Sequence, residues 1–123
     1  MLRPAKIGRR ALVDVEQVVW GCTHADIGGR MLKNWRLPPF LEVLVHHHHT
    51  PMEASMPAEA SVIHVADFII HSMGIGASGA SLVPELDTRA WKKLGLNQDD
   101  LADIVRQAER QACDVMAAFF PNN

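Results

Sequence analysis

The chain has 123 residues, 48% of them apolar, with a formal net charge of −2 at pH 7 and a pI near 6.4. That length holds one domain, which buries roughly 65–70% of its unfolded surface and so builds one modest core. The charge gives no electrostatic case for nucleic acid or an anionic membrane, no apolar run approaches the ~18 residues of a membrane span, and the basic N-terminus lacks the apolar stretch of a secretory signal.

Residues 1–12 have mixed charge and no clear period, and read as a tail or linker. A domain is expected over 13–120. Val13 to Cys22 predicts a short helix with Val15, Val18, Val19 and Cys22 on one stripe. Thr23 and Asp26 have the spacing of a capping box and open a helix from His24 to Trp35, whose inward stripe is read as His24, Gly28, Met31 and Trp35. Gly28 and Gly29 would each cost about 1 kcal/mol in that helix, so a close approach by another helix is expected there.

Leu37-Pro38-Pro39 stops this helix and starts the next. Phe40 to Val45 carry the new helix into a histidine run at 46–49, which Thr50-Pro51 ends. After a loop at 51–57, Ala58 to Met73 is the most apolar helix and should be central to the fold. Gly74, Gly76 and Gly79 mark a flexible connection. Asp87-Thr88 opens a short helix ended by Gly95, and Asn97 caps a last helix with Asp99 and Asp100 in its first turn and an amphipathic stripe from Leu101 to Phe119. No strand or repeat pattern is present. The class is all-α: a bundle of about five to six helices around a central buried one. Trp35 and Trp91 are expected to anchor the core. Cys22 and Cys113 read as buried free thiols, which suits a reducing, cytoplasmic compartment.

Chemistry concentrates in the histidines. On the apolar helix, His64, Asp67 and His71 share a stripe about 60° wide. A buried carboxylate there is costly unless paired or metal-bound. Two readings stay open: a metal ligand with a neighbouring imidazole, or a helix-packing hydrogen bond. The run at 46–49 is internal and flanked by helix-forming residues, so it is not an expression tag. Four consecutive helical residues point in four directions, so at most two of them can reach one ion. His24 reads as a ligand or as a satisfied core histidine. Imidazoles with one carboxylate would suit Zn, Fe or Mn. Gly74 to Gly79 follows a helix, not a strand, so it is not read as a phosphate loop, and no Ser or Cys stands in a nucleophile elbow.

The order of "HADIGGRMLKNWRLP", "HHTP" and "SVIHVADFI" resembles the second half of an HDOD domain, a relative of the HD-domain phosphohydrolases and the HD-GYP cyclic-di-GMP phosphodiesterases. The resemblance spans about 14 to 120, including "AWKKLGLNQDDL". It implies that His24, His48, His49 and Asp67 stand at metal-binding positions, the paired histidines being those just before Thr50-Pro51. The superfamily's His-Asp doublet belongs to helices preceding this segment, and His24-Ala25-Asp26 is not that doublet. The HD-GYP signature after the histidine pair is missing, as is the lysine that often follows the doublet. The resemblance therefore implies a truncated, HD-domain-like bundle with a degenerate or incomplete metal site. The function implied is a non-catalytic signal-transduction output or interaction module of bacterial type, self-associating or docking on a protein partner through an uncovered apolar face. The alternative is a metal-dependent phosphohydrolase, acting on a nucleotide or cyclic dinucleotide with ligands supplied by another chain.

Overall fold

A computed structural model describes residues 12–74 and 83–121. Within them lie α1 (Leu12–Trp20), α2 (His24–Asn34), α3 (Pro39–His46), a 3-10 turn (Pro51–Glu53), α4 (Pro57–Ser72), α5 (Thr88–Leu94) and α6 (Gln98–Phe119). No strand occurs among the described residues. The all-α class follows from helical periodicity and local start and stop signals. The expectations on residues 1–11 and on the stretch from Gly76 to Gly79 lie outside the described residues.

Local chemistry sets most helix ends. At the start of α2, Thr23 N–H donates to Asp26 Oδ2 at 2.9 Å and Asp26 N–H donates to Thr23 Oγ1 at 3.2 Å. This capping box satisfies two otherwise orphaned donors, and a cap of this kind stabilises a helix by about 1 kcal/mol. Asn97 and Asp100 make the same reciprocal pair for α6, at 3.0 and 2.9 Å. Pro39 occupies the first turn of α3, where its missing N–H costs nothing. Gly95 ends α5 at φ 66°, in the left-handed region that glycine enters freely. The end of α2 has the same geometry without glycine. Arg36 sits at φ 58° while its N–H donates to Lys33 O and Leu37 N–H reaches Leu32 O, completing a Schellman-type end.

Two packing contacts organise the chain. The first pairs α2 with α3, and the glycines explain it. A Cβ on Gly29 would lie 3.2 Å from His46 Cβ and 3.4 Å from Glu42 O, and one on Gly28 would lie 2.8 Å from Val45 Cγ1. The helices meet where side chains are missing, and this seats the end of α3 against the start of α2. The second is the core. Val65 and Ile69 of α4 and Ala90 of α5 are buried, with Met52, Phe68, Leu86, Trp91 and Leu94 packed around them. Leu101, Ile104 and Val105 bring the first half of α6 onto the same cluster.

Several expectations are corrected here. The expected stripe of α1 is only partly covered: Val15 is buried and Cys22 half-buried, but Val18 and Val19 are exposed and Glu16 is buried in their place. The inward face of α2 is offset by one residue, with Ala25 and Gly29 buried and Met31 exposed. Trp35 is 64% exposed and is not a core anchor, whereas Trp91 packs against the core. Helix α4 is central, yet one side of it stays open, with Val62 52% exposed. Cys113 is exposed, not buried, and Cys22 is half-buried; both are free thiols. In α6 the apolar stripe outruns its support, and Phe119 is 76% exposed. A helix is amphipathic by sequence, but only docking decides how much of its stripe is covered.

Candidate metal centre

Helix α2 begins at His24, and α3 ends at His46 in the turn His47–His49. The glycine-mediated contact between these helices brings the two ends together. Donor atoms of His24, His48 and His49 all lie within 4.8 Å of one another, the one such group of three or more His, Cys, Asp or Glu among the described residues. His24 Nε2 and His49 Nε2 are 2.8 Å apart, and the rings of His48 and His49 stand 4.0 Å apart centre to centre. Leaving the helix at His46 resolves the directional problem of a histidine run. The turn frees His48 and His49 to point together, while His46 Nδ1 lies 3.4 Å from Asp26 Oδ1 and His47 Nδ1 lies 3.4 Å from Thr50 Oγ1.

The inner nitrogens of two of these rings are already engaged. His24 Nδ1 lies 2.8 Å from Glu16 Oε2, and a carboxylate only accepts, so Nδ1 carries the proton. The same oxygen accepts the His24 backbone N–H at 2.8 Å. His48 Nδ1–H donates to the Val45 carbonyl at 2.6 Å. In both rings Nε2 is left as the nitrogen with a free lone pair. Metal-ligating histidines characteristically have the opposite ring nitrogen held by a carboxylate or carbonyl in this way.

The surroundings of His48 and His49 favour their neutral form. Burial pushes His49 down to about 3, with His48 and His24 adding to the shift as neighbouring imidazoles. Burial also lowers His48, against the pull of the Val45 carbonyl and the Asp67 charge. Unprotonated imidazole is the ligating form. Two nitrogens about 2.0–2.1 Å from one tetrahedral ion stand about 3.3 Å apart. The 2.8 Å spacing of the two Nε2 atoms is about half an ångström inside that figure, and the outermost pair, up to 4.8 Å apart, must close by about 1.5 Å to reach it. The residues fit an ion held by nitrogen donors. These three histidines could hold a metal ion.

Asp67 is placed differently. Its carboxylate is not in the close-set group; Oδ1 lies 3.3 Å from His71 Nδ1, one turn further along α4. Its charge is felt at His48. For His64 the structural reading holds. The ring is 3% exposed, its Nδ1–H donates to the His48 carbonyl at 2.8 Å, and its Nε2 accepts the Asp87 N–H at 2.9 Å. His64 therefore pins the histidine turn to α4 and to the cap of α5. Glu16 is the residue that sequence reasoning missed. The stretch VDVEQVVW carries Asp14 and Gln17 as well, so no signal in it singled Glu16 out.

A surface depression of about 410 Å³ also lies against α2 and α3, lined by Asp26, Arg30, Glu42 and His46 among others. Its charges are interleaved, so it selects neither anions nor cations.

Among the described residues, no helix is long and apolar enough to cross a membrane. No curated protein and no solved structure matches the chain. The model of one family, the HDOD domain, does match, over residues 1–51. That segment contains α1, α2, α3 and the complete histidine turn, so the part of the chain that gathers His24, His48 and His49 is the part that is similar to the HDOD domain.

Proposed function

We propose that this chain is a non-catalytic signalling or interaction module of HDOD type, carrying the second half of such a domain, that holds one divalent metal ion through His24, His48 and His49. The observation that carries the reading is the convergence of three imidazoles, two of them with Nδ1 fixed by Glu16 and Val45. The donor set is neutral and nitrogen-only, which suits Zn²⁺ first, with Fe or Mn²⁺ as the alternatives. Phosphoryl hydrolysis of the two-metal kind calls for ligands that hold two ions about 3.5–4 Å apart. Three imidazoles that share one focus suit a single ion. Asp67, half-buried beside His71, is placed to tune His48 through its charge.

The interaction role is supported by apolar surface. Val18, Val19 and Trp20 on α1, and Val115, Met116 and Phe119 on α6, stand exposed. Exposed apolar surface of this kind favours self-association or a protein partner. The module is read as cytoplasmic and bacterial.

Elemental analysis of protein purified without a nickel column, joined to a phosphatase and phosphodiesterase panel with added Mn²⁺, tests this reading. Stoichiometric metal without turnover supports it. Turnover abolished by Asp67→Ala would overturn it in favour of a phosphohydrolase or cyclic-dinucleotide phosphodiesterase completed by another chain. Sedimentation velocity over a concentration series reports the self-association.

A further inference from the structure

Glu16 is 4% exposed, and its carboxylate has a specific engagement. One oxygen, Oε2, accepts both the backbone N–H and the ring Nδ1–H of His24, each at 2.8 Å. A buried carboxylate is retained only where it is well hydrogen-bonded, and here both bonds go to one residue. The first bond fixes where α2 begins, because His24 is its first residue. The second fixes which ring nitrogen carries the proton and how the ring is turned. Together they leave His24 no freedom to present Nδ1 to the cluster, and Nε2 is the atom found 2.8 Å from His49 Nε2.

We infer that Glu16 is the positioning residue of the metal centre: it holds His24 as the Nδ1–H tautomer and aims the Nε2 lone pair at the site shared with His48 and His49. This rests on the metal-binding reading above and adds a requirement to it. The centre then depends on α1, a helix that supplies no ligand. A carboxylate behind a ligating imidazole also raises its basicity, and losing such a partner typically weakens metal binding by about 10–100-fold.

A purely structural role for Glu16, as an anion at the start of α2, predicts lost stability with unaltered ligation. Two measurements separate these roles. Long-range ¹H–¹⁵N spectra of the imidazoles, taken near pH 8 on the metal-free chain, report the tautomer of each histidine. Wild type should show His24 as Nδ1–H; Glu16→Ala, which removes the acceptor, should move His24 toward Nε2–H, and Glu16→Gln, whose amide oxygen still accepts, should do so less, while circular dichroism stays unchanged. Zn²⁺ competition titration should then show about a 10-fold loss for Glu16→Gln and up to about 100-fold for Glu16→Ala. His24 in the Nε2–H form in wild type would overturn the inference, as would Zn²⁺ affinity within twofold of wild type in both variants. A wild type that takes up no Zn²⁺ overturns the metal reading instead, and the tautomer still decides the part played by Glu16. Should Glu16→Ala fail to fold, Glu16→Gln and the wild-type spectrum carry the test.

Discussion

Two histidines of this chain show how differently one side chain can be used. His64 sits in the wall between α4 and α5, and protein backbone occupies both of its ring nitrogens. His24 sits where α2 meets the histidine turn, and only its inner nitrogen is taken up by a protein oxygen; the outer one faces another imidazole. A histidine whose two nitrogens are satisfied is a brace. One whose outer nitrogen meets only other imidazoles is prepared for a ligand that is not protein. The contrast lies in the partners and in burial alike: His64 is 3% exposed, whereas the His24 side chain is 42% exposed.

The sharpest way to break the contrast is to remove a residue from each side of it. Replacing His49 by Ala should lower Zn²⁺ affinity at least about 100-fold, beyond the loss of an outer partner, and leave the helical content intact. Isothermal titration with circular dichroism reports both. Replacing His64 by Leu should do the reverse in kind. It leaves the Asp87 N–H and the His48 carbonyl without partners and should cost about 2–4 kcal/mol of unfolding free energy in a urea titration. A His64→Leu variant as stable as wild type would remove the distinction.

Acid should weaken the fold through the cluster. Because His49 is held at about 3 when folded, against an ordinary value of 6.5, the unfolded chain binds the extra proton between those values. Stability is therefore full above pH 6.5 and declines as the pH falls toward 3, with His48 acting in the same sense. Denaturant midpoints measured from pH 7 to pH 4 should fall, and by less in His49→Ala. The smallest expected effect is local. Arg36 carries a side chain in left-handed backbone, so Arg36→Gly should stabilise the chain by about 1 kcal/mol without touching the metal centre. A rise of a few degrees in melting temperature would show it.

What could be read from the sequence, and what could not, divides along the same physical lines. Thr23 with Asp26, Pro39, Gly95, and Asn97 with Asp100 mark helix ends by chemistry that acts within four residues, and those ends were legible. Gly28 and Gly29 announced the close approach of α3. The choice of His48 and His49 from four histidines came from resemblance, and the structure brings that pair together with His24. Glu16 was not legible because periodicity put Val18 and Val19 on the inward stripe of α1. The bond to His24 instead turns α1 so that Val15 and Glu16 face in. Trp35 and Phe119 illustrate the same point. Their spacing gives a stripe, but whether anything covers it is a long-range outcome that spacing does not encode.

X-ray absorption at the zinc edge of the Zn²⁺-loaded chain tests the centre most directly, because it counts imidazoles on the ion. Three histidine ligands in wild type, falling to two in His24→Ala, are what convergence of His24, His48 and His49 predicts. Fewer than three imidazoles in wild type, or a sulfur ligand from Cys22 or Cys113, would contradict it.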